Sequence, residues 1–259
     1  MPVLSEVKKL DPGANASLTQ LRRAAALTGV IGAAFSVLFL ISLYLLSTAP
    51  RPHESDQAYI DFYSGDDRKK IVLVGLYILP LAAVAFIWFI AALRQWTSHS
   101  RRRGSQLIAT VQLLSGVAFI TLALASAASS TMPAALVELS DEALDPQLAR
   151  DFPLYGNALL LVFGVRMAAM FVMTTTSITR KVGFMPRWFS IVSMLVAAVL
   201  FLSASLSVWL AVVFPLWVLA LGILIIVNAY QMGPDSPLLA EAEAIAKSRL
   251  PAGDDAIRE

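Results

Sequence analysis

A chain of 259 residues in which 58% are hydrophobic and 15% charged, with a mean hydropathy of +0.71, has a membrane composition and leaves no room for a separate soluble domain. Its formal charge of +2 identifies no partner, and no nucleic acid is expected. The absence of cysteine excludes disulfides, iron–sulfur ligation, thiolate zinc sites and cysteine nucleophiles.

A bilayer core of about 30 Å takes roughly 20 apolar residues per helical crossing. Six apolar segments meet that demand: residues 24–47, 71–93, 106–128, 156–178, 188–206 and 214–230. The predicted fold is all-α, a polytopic bundle of six transmembrane helices occupying 24–230. A cytoplasmic N-terminal segment, 1–23, precedes it, and a cytoplasmic helix and tail, 231–259, follow. The first segment lacks the small-residue pattern of a cleavage site and is read as a membrane helix. The last two are separated by a turn within "SLSVWLAVVFP", with Pro215 in the first turn of the sixth helix. Two loops, "SDQAYIDFYSG" and "PAALVELSDEAL", carry helix-start signals and apolar residues at helical spacing, which predicts short interfacial helices. The stretch "SPLLAEAEAIAKSRLP" predicts the cytoplasmic helix.

Lysine and arginine accumulate on the cytoplasmic side of membrane proteins. Lys8, Lys9, Arg22 and Arg23, then Arg94 and the arginines at 101–103, then Arg180, Lys181 and Arg187, fall on one side of a six-helix topology. Both termini are therefore expected in the cytoplasm of a bacterial cell membrane. The opposite loops are acidic, with "DDRKK" at 66–70 as the contrary signal. His53 and His99 fall in polar loops on opposite sides, which excludes a haem held by two intramembrane histidines, and no cofactor is expected.

Four stretches carry a family resemblance: "AYIDFYSGDDRKKIVLVGLY", "FIWFIAALR", "FMPRWFS" and "FPLWVLALGI". They resemble a broad group of uncharacterised multi-pass, six-helix membrane proteins from actinobacteria. The resemblance implies a bacterial cytoplasmic membrane, and it supplies no reaction and no catalytic residue.

Arg166, within "FGVRMAAMF", is the only ionisable side chain inside the six segments. Ten residues from Gly156, it lies about 15 Å deep, too far from either surface to snorkel. Its five donors need acceptors, and no carboxylate shares its depth. Two readings follow. Neutral groups at similar depth, namely Tyr77, Ser36, Ser115, Thr121 and the Leu76 carbonyl freed by Pro80, complete a structural clamp. Alternatively, Arg166 and those side chains form a site for a small anionic or lipid-like molecule. A partner subunit supplying the carboxylate is the remaining possibility.

The other features have plainer readings. Ala25, Gly29 and Ala33, with Thr28, Gly32 and Ser36 beside them, repeat every four residues and predict close helix packing within the chain. The outer acids lack the spacing of a calcium loop, and no metal site is expected. "RQWTSHSRRR" at 94–103 reads as a topology determinant. No Walker loop, zincin helix or nucleophile elbow occurs, so an enzyme is not expected. The expected function is binding or passing an anionic amphipath around Arg166. The alternative is a structural or accessory subunit of a membrane complex or homo-oligomer, with Arg166 as an assembly clamp.

Overall fold

A backbone in hydrocarbon must satisfy its own polar groups, and the helix does so within a single segment. The computed structural model describes residues 12–50, 53–97, 105–140, 145–181, 185–203 and 207–231, and all its regular elements are helices. In chain order they are α1 (Pro12–Leu46), α2 (Asp56–Ser64), α3 (Asp67–Leu73), α4 (Leu79–Thr97), α5 (Ser105–Ser140), α6 (Pro146–Ala158), α7 (Val165–Lys181), α8 (Arg187–Leu202) and α9 (Val208–Gln231). A π-helical turn, Val74–Ile78, joins α3 to α4, and a second, Leu159–Gly164, joins α6 to α7. Five of the resulting helices are long and apolar enough to cross a membrane: Arg22–Leu46, Asp67–Arg94, Gln106–Leu139, Pro146–Lys181 and Trp209–Gln231. The shorter α8, of 16 residues, is also apolar.

Neighbouring helices run antiparallel. Arg22 donates to the Tyr230 carbonyl near one end of α1 and α9, and Ser36 donates to the Pro215 carbonyl farther along. Phe35 meets Phe86 across α1 and α4, Gly75 faces Thr131 near the opposite end, and Gln112 pairs with Thr175 between α5 and α7. The start of α1 therefore shares an end of the bundle with the ends of α4, α7 and α9. The chain leaves α7 at that end and enters α9 at the other, with α8 between them.

Phenylalanines from five helices meet at the centre. Phe35, Phe86, Phe119, Phe171 and Phe214 are buried, with centroids 4.6 Å apart for Phe35 and Phe86 and 4.5 Å for Phe119 and Phe214. Lipid tails are as apolar as these rings, so dispersion and ring geometry hold this core together. The small-residue face of α1 packs within the chain: a Cβ on Gly29 would meet Ile226 at 2.4 Å and the Gly222 carbonyl at 2.9 Å, and one on Gly32 would meet Phe89 at 2.9 Å.

Several sequence-based boundaries move. α5 continues through Pro133 to Ser140, so most of "PAALVELSDEAL" forms the last turns of a long helix rather than a separate interfacial one. The fourth helix begins at Pro146, with Asp145 accepting from the Gln147 N–H at 2.8 Å as its cap, and Pro153 lies inside it. The turn before α9 falls before Val208, which puts Pro215 inside that helix and not in its first turn. "SDQAYIDFYSG" does form a helix, α2, capped by Ser55. The stretch "SPLLAEAEAIAKSRLP", residues 1–11, His99 and the arginines at 101–103 lie outside the described residues, and α1 already begins at Pro12, within the expected N-terminal segment 1–23.

At the acidic end, α2, α3, α6 and the last turns of α5 form a second small core around Tyr59, Tyr63, Ile71, Ala134 and Ala149. Burial pushes the Tyr63 phenol well above its ordinary range, and its hydroxyl has no hydrogen-bond partner among the described residues. Ion pairs ring this cap: Arg68 with Glu138 at 2.7 Å, Lys69 with Asp66 at 2.8 Å, Lys70 with Asp67 at 2.7 Å and Arg150 with Asp56 at 2.8 Å. Each basic residue of "DDRKK" thus has an acidic partner.

Candidate functional site

Arg166 stands two residues beyond the π-helical turn Leu159–Gly164, near the middle of the 36-residue span Pro146–Lys181. Within that turn the Val165 N–H bonds the Leu160 carbonyl, five residues back. A helix that shifts from four-residue to five-residue spacing and back skips one carbonyl, leaving an acceptor available. The Arg166 Nη1 donates to a carbonyl of this turn, that of Val162. Among the described residues this is its one hydrogen bond, and it stays within its own helix. The side chain is half-buried, and the same face carries Phe163 at 55% exposure and Met173 at 38%. Most of the guanidinium's donors therefore have no acceptor among the described residues.

The hydroxyls of three other predicted site residues bond backbone carbonyls. Ser36 is fully buried and bonds the Gly32 and Pro215 carbonyls, both at 2.8 Å. Ser115 bonds the Gln112 carbonyl at 3.0 Å, and Thr121 is exposed and bonds the Val117 carbonyl at 2.9 Å. Tyr77 and Leu76 sit in the other π-helical turn with 61% and 52% of their surface exposed. None of the four side chains is a hydrogen-bond partner of Arg166 among the described residues. Pro80 follows that turn closely, and the wider spacing, with the Leu79 N–H on the Val74 carbonyl, accommodates a ring that would crowd the carbonyl four residues back.

A polar seam unremarked in the sequence runs between α5, α7, α8 and α9. Gln112 is fully buried and donates to the Thr175 hydroxyl at 2.7 Å, while its Oε1 has no partner among the described residues. Thr174, Thr176 and Thr179 bond carbonyls of their own helix, and the Trp217 indole N–H donates to Ser193 at 2.9 Å. Gln112 is neutral, so a search for ionisable groups passes over it. An amide inside an apolar segment was the available signal.

A groove of about 450 Å³ opens where α7 ends beside α8. Arg180 and Arg187 line its mouth, and Ile191, Met194, Leu195 and Ala198 line its length. Among the described residues no His, Asp or Glu cluster is placed to hold a metal ion. The chain matches no known family model, no curated protein and no solved structure.

Proposed function

We propose that this helical membrane protein binds an anionic, lipid-like molecule at Arg166 and performs no catalysis of its own. One observation carries the reading: a cation at about mid-span reaches a half-exposed apolar face with a single acceptor among the described residues. A charge so placed is costly unless an anion meets it, and low surrounding polarity strengthens that meeting. The adjoining Phe163 and Met173 offer apolar surface to a hydrophobic tail. Arg166 is the binding residue in this reading. Ser36, Ser115, Thr121 and Tyr77 are not needed for it.

The same face also suits the alternative, an accessory subunit whose partner helix supplies the carboxylate. Six crossings are supported by the antiparallel pairings, which require α8 to return the chain between the two ends. A bacterial cytoplasmic membrane with both termini inside fits the charge asymmetry. Arg22, Arg23, Arg94, Arg180, Lys181 and Arg187 share one end with no acid among the described residues, whereas the basic residues of the other end are paired. The actinobacterial resemblance agrees with that setting.

Native mass spectrometry of gently extracted wild type beside Arg166→Gln tests the reading. A co-purifying anionic small molecule, lost in the variant, is the expected result. Loss of another protein chain instead establishes the accessory-subunit reading. If neither is lost and the variant merely melts lower, Arg166 is an internal clamp and the proposal fails.

A further inference from the structure

The groove between α7 and α8 is separate from Arg166 and combines two features that rarely coincide by accident. Its mouth holds two exposed arginines, Arg180 on the last turn of α7 and Arg187 on the first turn of α8. Neither has an acidic partner among the described residues. α8 begins at Pro186 without a side-chain cap, and its first helical bond runs from the Ser190 N–H to the Pro186 carbonyl. The preceding N–H groups therefore add the positive end of the helix dipole to the two guanidinium charges. Beyond the mouth the lining comes from α8 and is apolar apart from Ser190, with Ile191 64% and Leu195 61% exposed.

The length of the groove matches the occupant. From Arg187 to Ala198 the helix rises about 16 Å. One leaflet of a roughly 30 Å hydrocarbon core is about 15 Å deep. Trp188, 62% exposed beside the mouth, is the kind of side chain that marks the headgroup level. An apolar trough one leaflet deep, opening under a cationic rim at the headgroup level, has the shape and charge of a diacyl lipid with an anionic head.

We propose that this groove is a binding site for an anionic phospholipid, one acyl chain lying along Ile191, Leu195 and Ala198 and the phosphate held by Arg180 and Arg187. Selectivity comes from the rim, because a zwitterionic lipid fills the trough equally well but brings a headgroup cation towards the two arginines. The site is distinct from a general attraction of the basic end for anionic membranes, since Arg23 shares that end and does not line the groove.

The full chain, reconstituted into nanodiscs of equal phosphatidylglycerol and phosphatidylcholine and released in native mass spectrometry, reports which lipid stays bound. Wild type is expected to retain phosphatidylglycerol selectively. Arg180→Gln and Arg187→Gln should each lower that preference about fivefold. Ala198→Trp, which fills the trough and leaves both charges in place, should lower retention of both lipids. Arg23→Gln should change nothing. The proposal is overturned if wild type retains the two lipids equally, if Arg23→Gln acts as strongly as the groove variants, or if Ala198→Trp has no effect. It is also overturned if the groove is found covered by a second copy, seen as a dimer mass that Ala198→Trp reduces to the monomer. Melting midpoints of all variants, measured alongside, separate lost binding from lost folding. An Arg166→Gln control that keeps the phosphatidylglycerol preference separates this site from the one at Arg166.

Discussion

The α1–α9 seam and the α7–α8 side of the bundle solve the same problem in opposite ways. Along the seam, Gly29 lies against Gly222, the Ser36 hydroxyl bonds carbonyls of both helices, and the approach is too close to admit a side chain. Along α7 and α8, a half-exposed arginine bonds, among the described residues, its own helix alone, and a trough with an arginine rim lies open. The seam is finished by the chain itself. The other side presents charge and apolar surface together, the combination a monomer in a bilayer has least reason to keep unless something else covers it.

The strongest way to break this contrast is Gly29→Leu. The added side chain meets Ile226 and the Gly222 carbonyl, and a loss of about 1–3 kcal/mol is expected as a lowered melting midpoint in detergent. Gly164→Ala serves as its control, because a Cβ there meets nothing nearer than Leu160 at 3.4 Å, and no loss is expected. Equal tolerance of both changes would show that the seam is looser than it looks.

Next in size is Ser193→Ala, which leaves the buried Trp217 N–H without its acceptor and should cost about 1 kcal/mol in the same assay. Arg166→Leu sharpens the other half of the contrast. No interhelical bond is lost, so stability should stay within about 0.5 kcal/mol of wild type or rise. A drop as large as that of Gly29→Leu would make Arg166 part of the finished core.

The smallest effect belongs to the outer cap. The hydrogen bond and charge of Lys69 hold the Asp66 carboxyl below its usual range. A carboxyl whose folded pKa is depressed adds stability that is present above its unfolded value and is lost as pH falls through the folded one. Wild type should therefore lose slightly more of its melting midpoint than Asp66→Asn between about pH 5 and about pH 3. This pair is fully exposed, and identical pH profiles for the two proteins would mean it contributes nothing measurable.

Much of the fold was legible because hydrocarbon leaves a chain few options. Once residues 24–47 or 106–128 are apolar, helix is the available backbone. Helix ends were not legible in the same way, since hydropathy marks where the membrane is rather than where the helix stops. α5 runs on to Ser140 and the fourth helix starts at Pro146, both beyond their apolar segments. Pro215 reads as a helix start in sequence, yet it lies within a helix, as do Pro133 and Pro153. Arg166 was visible as a lone charge, but its surroundings were not. Depth can be counted along a helix, whereas the direction a side chain faces depends on which neighbours pack where. Ser36, Ser115 and Thr121 were chosen by depth, and their hydroxyls bond backbone carbonyls that depth alone does not reveal.

The π-helical turn Leu159–Gly164 has a consequence for how this chain can be edited. Such a turn holds one residue more than its α-helical equivalent, so removing a single leucine from 159–161 would close it into ordinary helix. The helix on either side would keep its phase, because the surplus residue is absorbed within the turn. Ala149 would stay in the outer core and Arg150 would keep Asp56, while the spare carbonyl beside Arg166 would return to an ordinary backbone bond. The surplus residue is thus dispensable to the packing of cap and bundle, and its removal would single out the acceptor that the turn supplies to the arginine.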